Sequence, residues 1–180
     1  MTVLLPASML TGCSRSDATS TVYMLPSELP DTIESVPQYA CEVTGEHAEP
    51  DSASVLGLRG TERLSEGDYT ELPFLRIGIY QTDTPGTPQT PEEAAAEAAD
   101  PGSSQPATVG DNPAISFTIT TAEPGPVAHP ALTWQQDNII ITMLGEGFTP
   151  EVVRDVAESL EPVTRDEFLA AGFDKQGCDQ

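Results

Sequence analysis

The chain reads as a single α+β domain: an antiparallel sheet with C-terminal helices packed on one face, and a flexible N-terminal tether ahead of it. Three observations predict this. Leu75, Ile77 and Ile79, and again Ile115, Phe117 and Ile119, recur at the period of two of strands. Asp137-Asn138 separates two strand-like runs and tolerates the positive φ of a tight hairpin, which joins antiparallel neighbours. The helical signals then follow the strands at the C-terminal end, as in an α+β arrangement.

Residues 1–12 read as a signal segment and residues 13–35 as a lipidated cysteine followed by a tether. Leu10-Thr11-Gly12-Cys13 has the form of a lipobox, after which a prolipoprotein is cut and its new N-terminal cysteine acylated. The apolar run before it is short and interrupted by Pro6, and no Lys or Arg precedes Cys13. A secretory signal carries a basic end, so we expect a true start further upstream. Ser14 to Thr21 is small and polar apart from Arg15 and Asp17, which suits a tether between lipid and domain. A diacylated cysteine with a further acyl chain would anchor firmly to the outer face of a cell membrane, because stable attachment takes more than one chain.

Residues 36–180 form the predicted domain, long enough for one core. Pro37 and Pro50 break its opening into short pieces, and Ser54 to Arg59 is a short strand weakened by Gly57. Ser65-Glu66-Gly67-Asp68 reads as a turn. Leu72 to Tyr80 is a strand with Leu75, Ile77 and Ile79 on one face and Phe74, Arg76, Gly78 and Tyr80 on the other.

Residues 82–107 read as a low-complexity insert rich in Pro, Thr, Ala and Glu. Within it Thr90-Pro91-Glu92-Glu93 is a capping box that starts a short helix ending before Asp100-Pro101-Gly102. That helix has no large apolar residue and is too short to stand alone. The insert is therefore expected to be a mobile surface excursion.

Beyond Asn112, Ile115, Phe117 and Ile119 alternate with Ser116, Thr118 and Thr120, predicting a strand with one wet face. Leu132 to Gln135 and Ile139 to Leu144 make the hairpin, and Gly145-Glu146-Gly147 ends it. Thr149 then caps a helix with Pro150 at its first position and Glu151 near its positive end. Phe148 and Val153 stand at the positions of a hydrophobic staple. Val152, Val153, Val156, Ala157 and Leu160 form the apolar face, and Pro162 is expected to stop the helix. A second capping box, Thr164 to Glu167, starts a short helix that ends at Gly172.

With Cys13 assigned to lipid, Cys41 and Cys178 remain as a pair that an oxidising compartment would join. The bond would close a loop of roughly 140 residues, for which chain-entropy arguments give about 4–5 kcal/mol. There is no C-x-x-C and no Cys/His cluster, so zinc and thioredoxin-like roles are not expected.

The formal net charge is −22, with only seven Lys plus Arg. Such a chain is repelled by nucleic acid and by anionic headgroups, so no nucleic-acid partner is expected. Three readings of the acidity stand open: solubility, a saline habitat, or attraction of cations or a basic partner. The carboxylates lack calcium-loop spacing, so no metal is expected.

His47 and His129 are the only histidines, and the chain has neither a G-x-S-x-G elbow nor an H-E-x-x-H. Neither catalysis nor a cofactor is expected. Asp155 and Glu158 fall on the polar helix face, Trp134 suits core packing, and Gly145 and Gly147 suit a strand-to-helix link.

Trp134 to Gly145, followed by Phe148 to Val153 and by Val156-Ala157-Glu158-Ser159-Leu160, resembles the ending of a broad group of secreted prokaryotic proteins, many of them lipoproteins. It is also similar to a cell-envelope domain seen beside anti-sigma and sporulation regulators. The shared pattern is a tryptophan strand, a turn, an apolar strand, a glycine link and a helix closing in A-E-S-L. Asn138 stands where that pattern has glycine, and the N-terminal half has no counterpart. The resemblance implies a hairpin capped by its helix and carries no catalytic residue.

The expected role is thus a membrane-anchored, extracytoplasmic binding or interaction module of the cell envelope, with an envelope protein as its partner. The alternative is a carrier holding an apolar ligand or lipid between sheet and helix. An apolar cavity at that place would distinguish the carrier.

Overall fold

In the computed structural model, residues 22–43, 53–61, 72–82, 86–121 and 126–172 are described. The lipobox with Cys13, the tether to Thr21, His47, the expected turn at Ser65 to Asp68, and Cys178 lie outside the described residues.

Seven strands form one sheet in the order β2-β3-β4-β8-β7-β6-β5. They are β2 (Tyr39–Val43), β3 (Ala53–Arg59), β4 (Phe74–Gln81), β5 (Gln105–Val109), β6 (Asn112–Thr121), β7 (Val127–Gln136) and β8 (Ile139–Glu146). A separate two-stranded ribbon pairs β1 (Tyr23–Pro26) with β9 (Leu160–Val163). Every described pairing is antiparallel. The described residues form one sheet-rich domain with three helices: α1 (Pro91–Ala98), α2 (Pro150–Glu158) and α3 (Arg165–Ala171).

Strand alternation sorts the side chains into two clusters. The larger holds Leu56, Leu58, Leu75, Ile77, Ile79, Leu132, Trp134, Ile141 and Met143 from the sheet, Val153, Val156 and Ala157 from α2, and Phe168 from α3. The smaller holds Phe117 and Ala131 with Ala95 of α1, flanked by Ile115, Ile119 and Leu144. Successive strand residues point to opposite faces, so these are two layers on one sheet. The division of β4 matches the alternation in the sequence, with Leu75, Ile77 and Ile79 at 2% exposure or less.

Several expectations are corrected. Residues 23–35 belong to the fold rather than to a tether: Met24 is fully buried, Ile33 nearly so, and Ile33 bridges to Gly60. Polar spacing around them hid a ribbon whose partner is more than a hundred positions away. Within the expected insert at 82–107, residues 86–107 are likewise not a free excursion. α1 lays Ala94 and Ala95 into buried positions, and β5 pairs with β6. Small side chains let that helix approach the sheet closely, so the lack of large apolar residues misled. Its N-terminus forms as expected in part: Thr90 accepts from the Glu93 N–H, but the Glu93 carboxylate reaches back to the Gln89 N–H, not to that of Thr90.

The wet face expected on β6 is only partly so. Ile115, Phe117 and Ile119 meet α1, while Ala114 on the alternate face is buried in the larger cluster. At the C-terminal end, α2 stops at Glu158 with Ser159 as its cap. Leu160 and Pro162 therefore lie in β9, where Pro162 stands opposite Met24. Proline is tolerated there because a two-stranded ribbon has an open edge on each side. The hairpin turn carries Asp137 at φ 54°, and the capping box of α3 is complete on both sides.

Candidate functional site

A half-open groove of about 220 Å³ lies between α2 and the β5–β6–β7 end of the sheet. Leu132 and Pro130 of β7 and Ser116 and Thr118 of β6 line it on the sheet side. Pro150, Val153 and Arg154 line it from α2, and Ser103 and Gln105 from the segment entering β5.

Each wall has a local cause. Thr149 accepts a hydrogen bond from the Val152 N–H and sets the start of α2, which fixes where Val153 and Arg154 emerge. Gly145 lets that helix close on the sheet: a Cβ there would come within 2.5 Å of a Val153 methyl carbon. Gly147 turns the chain toward the cap at φ 74°. Both glycines therefore serve the strand-to-helix link read from the sequence.

The opposite wall hangs on Asp100. β5 begins only at Gln105, opposite Ser116, so the β6 edge beyond it lacks a strand partner. Asp100 and Ser103 take that role. The Asp100 N–H donates to the Thr118 carbonyl, and its carboxylate accepts from the Thr120 hydroxyl at 2.7 Å and from the Thr120 N–H at 3.2 Å. Ser103 donates to the Thr118 carbonyl and accepts from the Thr118 N–H. The Thr120 hydroxyl, then the Thr120 N–H and the Thr118 hydroxyl, hold the Asp100 carboxyl below its ordinary range.

Among the described residues Arg154 is the one charged side chain in the lining, and no carboxylate is part of it. Glu151, one turn earlier, is kept ionised by its own backbone N–H and by the Thr149 hydroxyl at the positive end of α2. Among the described residues Arg154 makes no ion pair, and the Gln105 carboxamide makes no hydrogen bond. Ser103, Ser116 and Thr118 instead direct their hydroxyl protons to the Thr118 carbonyl, the Gln105 carbonyl and the Asp100 carboxylate. Acceptor capacity remains on Ser116 and Thr118, and one lone pair on Ser103, which already accepts from the Thr118 N–H.

Other candidates from the sequence fall elsewhere. Cys41 is 6% exposed in β2 and is disulfide-bonded. His129 is 3% exposed; its Nε2 lies 3.0 Å from the Thr121 hydroxyl, and its Nδ1 is buried without a hydrogen-bond partner. Trp134 is fully buried in the core, its indole N–H also without a partner. Asp155 and Glu158 are exposed on α2. Among the described residues no three His, Cys, Asp or Glu side chains converge as a metal site would require. No helix among them is long and apolar enough to cross a membrane.

The groove residues were missed in the sequence because Ser103 and Gln105 sit in the low-complexity stretch and Arg154 belongs to no motif. The available signal was that Arg154 stands alone as a cation between Glu151 and Asp155.

Comparison of the chain with protein-family models, with curated proteins and with solved structures finds no match.

Proposed function

We propose that this protein is a lipid-anchored binding module of the cell envelope that captures its ligand in the groove between α2 and the β5–β6–β7 end of the sheet. The groove carries the reading. It is concave, it mixes an apolar floor with a few polar groups, and it is walled by regular elements that hold its shape. In this reading both C-terminal helices cover the same face of the sheet, α1 covers the other, and the groove marks where α2 leaves the first face open. Cys13 holds the domain on the outer face of the membrane through its acyl chains. The disulfide at Cys41 suits that oxidising side, and Cys178 is its proposed partner.

The carrier alternative needs an apolar chamber between sheet and helix; Val153, Val156, Leu132, Trp134 and Met143, each 4% exposed or less in one cluster, favour the groove reading over it.

Two measurements test the proposal. Intact-mass analysis of protein made from the upstream start, in a host that processes lipoproteins, should show cleavage before Cys13 and added acyl chains. An unprocessed chain would remove the anchor. A small-molecule fragment screen read through the methyl resonances of Leu132 and Val153 should give hits that move both together. Hits scattered over the surface would remove the groove.

A further inference from the structure

Taking the groove as the binding site, we propose that its ligand is an apolar amino acid presenting a free α-carboxylate, either as the free molecule or as the C-terminal residue of a peptide. The charge pattern comes first. The chain has 29 Asp plus Glu against seven Lys plus Arg, yet the groove lining holds an arginine and no acid. In so negative a molecule the groove offers an anion a cation at its wall, although Glu151 and Asp155 stand beside that cation on α2. A guanidinium also matches a carboxylate with two parallel N–H donors. Gln105, in the same lining, adds a carboxamide that makes no hydrogen bond among the described residues.

The second half of the argument is the polarity of the hydroxyls. Ser103, Ser116 and Thr118 each have a protein acceptor within 3.3–3.4 Å of the hydroxyl, which leaves them placed to accept from a ligand. A ligand that suits this arrangement brings an N–H donor as well as a carboxylate. An amino acid carries both on one carbon: the carboxylate for Arg154 and Gln105, and the α-nitrogen for the hydroxyls. Its side chain then meets Pro130, Leu132 and Val153, which supply the apolar surface.

Size agrees. About 220 Å³ lies below the ~300–1,000 Å³ of sites for drug-sized ligands, so the groove suits one residue rather than an extended molecule.

The test uses the full-length protein and three probes: N-acetyl-L-alanyl-L-leucine, its C-terminal amide, and free L-leucine. Binding is followed by calorimetry and by the methyl resonances of Leu132 and Val153. The acid should bind and move both methyl groups, and the amide should bind at least about tenfold more weakly, the scale of losing a hydrogen bond to a charged group. Arg154→Gln should bring the acid down to the level of the amide, with an unchanged melting midpoint showing an intact fold.

Free leucine matching the peptide would identify the free amino acid as the ligand; a clear preference for the peptide would identify the chain terminus. Equal binding of acid and amide, or an Arg154→Gln variant that binds the acid normally, would overturn the carboxylate proposal and leave the groove in use. Failure of all three probes to bind would overturn it as well. Fragments that still move Leu132 and Val153 would in that case preserve the groove as a site for another chemistry, and their absence would remove both readings.

Discussion

Glu42 and Arg165, 123 positions apart, meet in a two-pronged ion pair. Arg165 Nε donates to Glu42 Oε1 at 2.6 Å and Nη2 donates to Oε2 at 2.5 Å. The Tyr23 hydroxyl also donates to Oε1. One carboxylate thereby ties β1, β2 and α3 together, while the Tyr23 ring lies 5.3 Å from that of Phe168.

That junction predicts an acid sensitivity. The Arg165 guanidinium, and then the Tyr23 hydroxyl, hold the Glu42 carboxyl below its ordinary value of 4.5. A depressed folded value means that the contribution is fully present above about 4.5 and is lost as pH falls through the folded value. Arg165 is well exposed, so the effect is modest and weakens with salt. Glu42→Gln should lower the melting midpoint slightly at pH 7, and the gap from the parent should close as the pH is taken below 4. A gap independent of pH would mean that the charge does not matter.

The β6 edge predicts a local effect. Asp100→Ala removes the acceptor for the Thr120 N–H and hydroxyl. Amide exchange at Thr120 should quicken by about five- to tenfold, the scale of one modest hydrogen bond, while core amides such as that of Ile77 hold their protection. Uniform acceleration would show that Asp100 supports the whole fold instead.

The closeness of α2 to the sheet predicts a coupled pair. Gly145→Ala places a methyl against the buried side chain of Val153, whose β-branched stem cannot easily turn away. The cost should be about 1–3 kcal/mol by urea unfolding. Adding Val153→Ala should recover part of it, so the double variant is less destabilised than the sum of the singles. Additive losses would show that the helix shifts as a body.

The disulfide predicts a specific linkage. Gly172 lies against the backbone of Tyr39 and Ala40: a Cβ there would come 2.5 Å from the Ala40 nitrogen. Six residues reach up to ~20 Å, so Cys178 lies within range of Cys41. Mass mapping of a non-reduced digest should give a Cys41–Cys178 peptide. Cys41→Ser should cost about 4–5 kcal/mol, less any strain relieved. A Cys13–Cys41 peptide would contradict both this pairing and the lipid anchor.

Much of the fold was legible where the physics is short-ranged. Thr90, Thr149 and Thr164 each satisfy a backbone N–H three residues on, so three helix starts stood in the sequence. Asp137 takes the positive φ that its turn requires, and Leu75, Ile77 and Ile79 declare a buried face by spacing alone. The candidate site was not legible. It needs Ser103, Ser116, Leu132 and Arg154 in one place, and no local rule joins a loop, two strands and a helix.

The sequence by itself determined where most strands and helices start and turn, because caps, hairpins and alternation depend on neighbours a few residues apart. Tertiary structure alone decided the rest. It made Ala94 and Ala95 a buried helix face, turned Leu160 to Val163 into a partner for Tyr23 to Pro26, and set Asp100 in place of a missing strand. Each of these depends on a backbone group or apolar surface that is distant in the chain and left unsatisfied until the sheet assembles. Such demands leave no periodic mark on the residues that meet them.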